Sequence, residues 1–195
     1  MMFNEMNTVV RMLLEDDSTE TRKKLKNDPS HLQILSISAR DRVSTELSKR
    51  FRTVDRTFWE KYILLSEGEQ RLALFFVILK TYKLLFEFQV NVALPAFNSV
   101  DRTIALNDVL MALNDIACYD RFVDSWTDQT RSKVASTYIT MLKQTGLVNE
   151  ATGELQAPPV TDEAFVPYVL SGDLWFLQAC FLPQYKVEQI KQLAL

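Results

Sequence analysis

Apolar residues recur three and four positions apart along almost the whole chain, the spacing of helices that bury one stripe. The pattern predicts a helix over 4–15, then a short basic helix capped by Asp17 or Ser18 and ended by Pro29. Further helices are expected over 36–51 and 55–65. Ser66 and Glu69 have capping-box spacing and open a long helix predicted to reach 93, ahead of Pro95. Its run "LALFFVIL" is apolar on every side, which places it inside a bundle. Another helix is expected over 102–117, then a link containing Trp126, then a helix over 128–145 stopped by Gly146. Residues 149–153 can turn a small hairpin, the one β element in the pattern. Short helices near 162–170, 173–182 and 186–193 complete an all-α fold, read as a single multi-helix globular domain over 1–195 with room for two lobes.

Two of these helices carry unusual polar faces. In 128–145, Val134, Ala135, Tyr138, Ile139, Met141 and Leu142 form the stripe expected to face the core. The other side presents Gln129, Lys133, Ser136, Thr137, Thr140 and Gln144. Ser and Thr form helix less readily than Ala by roughly 0.5 kcal/mol each, so helix stability does not explain them. Short hydroxyls beside Lys and Gln suit an approach to phosphates and base edges. The order helix, link, helix, glycine, hairpin over 102–157 is that of a winged helix-turn-helix. In 37–52, Ala39, Val43, Leu47 and Phe51 are expected to be buried, with Ser38, Arg42, Thr45, Lys49 and Arg52 opposite. With the preceding basic helix, 17–52 forms a second helix-turn-helix-like element. Taken alone, each helix has a plainer explanation: in 128–145, Ser and Thr are tolerated on a solvated face and the hairpin is merely a loop, and in 37–52 a charged outer face lets Asp41 and Glu46 pair locally with the arginines.

Charge narrows the reading. Lys plus Arg number 22 against 25 Asp plus Glu, a net charge of −3, which excludes coating nucleic acid by bulk charge. Residues 38–61 hold seven basic and four acidic residues, while 149–173 hold five acidic and none basic. Cys118 and Cys180 match no metal or redox spacing and are expected to be reduced in a cytoplasmic protein. No apolar run is long enough to span a bilayer, so no membrane partner is expected. The single histidine, His31, follows "NDPS" and reads as a turn residue. There is no phosphate-cradling glycine loop and no metal-ligand cluster, so no catalytic residue, cofactor or metal is expected. Trp59, Trp126 and Trp175 read as core anchors.

The segments "LQILSISARDRVSTELSKRF", "RLALFFVILKTYKLLFEF", "TRSKVASTYITMLKQTGLV" and "LWFLQACFL", in this order and spacing, resemble the BrxA family of BREX (bacteriophage exclusion) phage-defence systems. The resemblance runs over about residues 5–182 and leaves "PQYKVEQIKQLAL" unmatched. It implies a non-enzymatic, cytoplasmic, helical protein that binds double-stranded DNA beside other BREX components, through two helix-turn-helix elements. By position these correspond to Ser38, Arg42, Thr45, Lys49 and Arg52, and to Thr130, Arg131, Lys133 and Thr137. A monomer is expected. The rival expectation is an adaptor whose basic helices dock on an acidic protein of the same system.

Overall fold

Side-chain caps fix where the second to fifth helices begin. The structure, a computed structural model, describes residues 1–195, and its chain divides into two units, Met1–Thr81 and Tyr82–Leu195. In the first, α1 (Phe3–Glu15) buries Met6, Val9, Val10 and Leu13, one stripe at helical spacing. The Ser18 hydroxyl then accepts from the Glu20 and Thr21 N–H groups and starts α2 (Thr19–Asn27). Pro29 does more than end that helix. It sits in the first turn of α3 (Pro29–Leu32), where its missing N–H costs nothing, behind an Asp28 cap that accepts from Ser30 N at 2.8 Å. Ser36 caps α4 (Ile37–Phe51) and Asp55 caps α5 (Arg56–Tyr62).

The predicted capping box opens α6 (Glu67–Thr81): the Ser66 N–H donates to Glu69 Oε2 at 2.9 Å, and the Glu69 N–H returns to Ser66 Oγ. Every residue from Leu72 to Leu79 is buried, as an all-round apolar helix requires. Beside it, Trp59 stacks on Phe51 at 5.5 Å and donates its indole N–H to the Phe51 carbonyl at 2.7 Å. That bond satisfies the polar end of a fully buried ring.

The helix predicted to run on to 93 ends twelve residues earlier. The Thr81 hydroxyl donates to the Val77 carbonyl at 2.7 Å in the last turn, and Tyr82 is extended. Apolar periodicity runs through the break and gives no sign of it. The second unit continues with α7 (Lys83–Phe88), a π-helical turn over Gln89–Ala93 and α8 (Leu94–Phe97), with Pro95 in the first turn of α8.

Arg102 has φ +47, a left-handed conformation unfavourable for a residue with a Cβ, and Thr103 pairs with Glu154 in an antiparallel bridge. The helix predicted from 102 therefore starts later, as α9 (Leu106–Ala117), where the Asp108 carboxylate accepts from Ala105 N at 2.7 Å. The link adds a turn, α10 (Arg121–Asp124), before α11 (Asp128–Thr145), whose bounds match the prediction. Thr127 caps α11, and Gly146 ends it at φ +78, with the Leu147 N–H donating back to the Leu142 carbonyl at 2.9 Å. The hairpin is minimal: Val148 pairs with Leu155 around the 149–153 turn, and Arg102 and Thr103 lie along its returning arm. A 3₁₀ turn over Asp162–Phe165 precedes α12 (Val166–Leu170), α13 (Trp175–Ala179) and α14 (Gln184–Leu193). The fold is all-α, and no helix is long and apolar enough to cross a membrane.

Candidate nucleic-acid interface

The inner side of α11 follows from its sequence. Ala135, Tyr138, Met141 and Leu142 are buried, and Val134 and Ile139 are half-buried. Tyr138 is the anchor: its hydroxyl donates to Gln89 Oε1 at 2.6 Å inside the unit, and burial holds its pKa well above the ordinary phenol value. Gln89, itself fully buried in the π turn, donates to the Ala179 carbonyl. These bonds, with the Phe88 ring 5.3 Å from Tyr138, fix which side of α11 faces out.

On the outer side, Gln129, Thr130, Lys133, Thr137 and Thr140 are exposed and Ser136 is half-buried. The hydroxyls are not idle. Thr137 and Ser136 both donate to the Lys133 carbonyl, at 2.7 and 3.0 Å, and Thr140 donates to the Ser136 carbonyl at 2.8 Å. Thr130 and Thr127 share a hydroxyl hydrogen bond at 3.0 Å. With their hydrogens turned into the helix, these groups offer a partner oxygen lone pairs and methyl groups rather than donors.

Arg131 departs from the expected phosphate contact. Its guanidinium donates to Asn114 Oδ1 at 2.8 Å and to the Asp124 carbonyl at 3.2 Å, with the Asp124 carboxylate 3.8 Å away. It therefore joins α9, α10 and α11 to one another, and its side chain is mostly covered.

In the first unit the exposed side of α4 carries all five expected residues, Ser38, Arg42, Thr45, Lys49 and Arg52. The buried side differs from expectation. Leu47 and Phe51 are buried, but Ala39 and Val43 are only half-buried, and Arg40, Ser44, Ser48 and Arg50 are buried instead. The physical reason is the neighbour. α2 is almost wholly polar and packs on α4 through small hydroxyl positions, with Thr21 and Leu25 on its own buried side.

Arg40 is one of the seven basic residues of 38–61. In the structure it donates from Nε to the Lys26 carbonyl at 2.6 Å, from Nη1 to the Ile34 and Leu35 carbonyls at 2.5 and 2.8 Å, and from Nη2 to the Asn27 carbonyl at 3.3 Å. It closes the C-terminal end of α2 against the start of α4. Arg50 donates to the Met1 carbonyl at 2.9 Å and pairs with Glu46 at 3.6 Å; burial, the larger effect, lowers its pKa despite that carboxylate. Two of the seven basic residues in the 38–61 cluster are thus structural. Charge as a whole divides unevenly along the chain. Unit 1 has 14 Lys and Arg against 12 Asp and Glu, a net +2, and unit 2 has 8 against 13, a net −5.

Other predicted positions have structural partners. His31 lies in the last turn of α3, 3.6 Å from Asp28. Trp59 is a core anchor, whereas Trp126 and Trp175 are half-buried, Trp126 against Phe122 and Trp175 donating to Asp173 at 3.0 Å. Cys180 is buried and Cys118 exposed, both as free thiols.

The family model for BrxA matches residues 1–166. The crystal structure of an uncharacterized protein from Magnetospirillum magneticum is similar in fold, with a TM-score of 0.75 at 18% sequence identity, over 91% of this chain and 92% of that one. No curated protein matches the chain by sequence.

Proposed function

The chain belongs to the BrxA family and is a component of a BREX phage-defence system, and from that premise we propose that it binds double-stranded DNA as a non-enzymatic accessory protein. The observation that carries this reading is the presentation of α11. Its inner side is locked by Tyr138 and Gln89, its Gln129, Thr130, Lys133, Thr137 and Thr140 face is exposed, and a small hairpin follows directly. That order, with Thr103 paired to the returning arm, supports a winged helix-turn-helix reading, in which the second helix enters the major groove and the wing meets the backbone.

The two exposed faces divide the work. Arg42, Lys49 and Arg52 on α4, with Lys133 on α11, neutralise phosphates. Ser38 and Thr45 lie among the α4 cations and hydrogen-bond to the same backbone. Thr137 and Thr140, with hydroxyl hydrogens turned inward, suit base-edge amino groups and thymine methyls better than phosphate oxygens. Arg131 positions α11 and touches no DNA. The protein acts in the cytoplasm as a monomer, without cofactor or metal, beside other components of the system.

The test is the charge-reversed pair Arg42→Glu with Lys133→Glu. Duplex affinity is expected to fall at least 100-fold while far-UV circular dichroism and the melting temperature stay near wild type. Unchanged affinity in that folded variant removes both helices from the interface.

The net +2 of unit 1, which holds α2 and α4, favours a second reading, an adaptor whose basic helices dock on an acidic protein partner of the same system with DNA affinity incidental. An adaptor retains one BREX component stoichiometrically after nuclease treatment at high salt. A DNA binder loses its associates.

A further inference from the structure

α2 and α4 enclose an open groove of about 380 Å³, lined by Thr19, Arg22, Lys23, Lys26, Asp41, Ser44, Thr45, Ser48 and Arg52. Four cations and four hydroxyls face one carboxylate. Three of the cations have acidic neighbours: Arg22 lies 2.7 Å from Asp17, Lys26 lies 3.0 Å from Asp41, and Lys23 lies 3.9 Å from Glu20. These pairs are solvent-exposed and weakly held. Arg52 has no ion-pair partner, which leaves the lining and its neighbours one positive charge in excess.

Arg22 engages the Asp17 carboxylate through Nη2 alone, and Arg52 engages no acid. A ligand suited to this lining brings an anionic oxygen, small enough to enter between two helices and able to accept from several donors at once. A carboxylate offers two oxygens in one plane. A phosphate group offers a tetrahedral set that Arg22, Arg52 and the hydroxyls can meet from different sides.

Resting on the DNA reading above, we propose that this groove seats one backbone phosphate of the bound duplex, gripped jointly by Arg22 and Arg52. This assigns α2 a part in binding that the exposed face of α4 does not supply. Because the two arginines hold the same phosphate, their contributions are coupled rather than additive.

The experiment is a double-mutant cycle with Arg22→Gln and Arg52→Gln, read by anisotropy with a labelled duplex across a salt series. Each single variant is expected to weaken binding about tenfold and to lower the log-log salt slope by about 1, and the double variant little further. Arg22→Lys with Arg52→Lys keeps the slope, which separates charge from fold. Additive losses, with the slope falling by 2, or no loss at all, overturn the shared seat while leaving DNA binding intact. In parallel, inorganic pyrophosphate is titrated into ¹⁵N-labelled protein. Saturating shifts at the Thr19, Ser44, Thr45 and Ser48 amides, lost in the double glutamine variant, are expected. Their absence overturns the phosphate seat whether or not DNA binds. Duplex that binds without displacing pyrophosphate from these amides overturns DNA as the occupant.

Discussion

The Tyr138 hydroxyl donates to Gln89 Oε1 at 2.6 Å, and the Gln89 amide passes the chain on to the Ala179 carbonyl at 2.5 Å. One buried side chain thereby ties the putting-out of α11 to a π turn and to the end of α13. Tyr138→Phe leaves the Gln89 oxygen buried without its donor. A loss of about 1–3 kcal/mol is expected in urea denaturation. Adding Gln89→Leu to Tyr138→Phe is expected to recover part of that loss, because neither polar atom is then stranded.

Arg40 separates structural from functional charge in α4. Arg40→Met removes hydrogen bonds to four carbonyls at the α2–α4 corner and is expected to cost about 3 kcal/mol. Arg40→Lys recovers less than half, since an ammonium cannot reproduce the guanidinium fork. Arg42→Met, two positions along on the exposed face, stays within about 0.5 kcal/mol in the same denaturation series while weakening DNA binding.

Gly146 is required twice over. Its φ of +78 is unfavourable for other residues, and a Cβ there would come within 2.6 Å of Pro159 Cδ. Gly146→Ala is expected to cost more than about 1 kcal/mol and to displace the hairpin, measurable as a lower melting temperature and lost amide protection at Leu155.

Acid should loosen the entry to α2. The Asp16 carboxylate accepts from the Ser18 hydroxyl at 2.6 Å and the Thr21 hydroxyl at 2.9 Å, and these bonds, Ser18 first, hold its pKa below the ordinary value. A carboxyl depressed in the folded state stabilises it above the unfolded pKa and ceases to do so as pH falls through the folded one. Melting temperature is therefore expected to drop below about pH 4, and less steeply in Asp16→Ala, which starts lower.

Much of the fold was legible because its signals are local. Ser18, the Ser66–Glu69 pair and Gly146 each announce a helix end through a short-range hydrogen bond or a φ preference, and all act as such. What periodicity missed depends on distant partners or on a single residue. The break at Tyr82 lies within an unbroken apolar pattern, and the late start of α9 follows from pairing of 102–103 with 154–155. The outward faces of α4 and α11 were legible because exposed polar residues repeat at helical spacing. The burial of Arg40 and the tethering of Arg131 were not, since both are set by carbonyls and amides that come near only on folding.

The most direct test of the central claim is fluorescence anisotropy of the purified protein with a labelled random duplex across a salt series. Arg42, Lys49, Arg52 and Lys133 together predict a dissociation constant that rises with salt at a log-log slope of about 4. No binding at low salt, or binding whose slope is near zero, contradicts the account of a protein that holds duplex DNA through these faces.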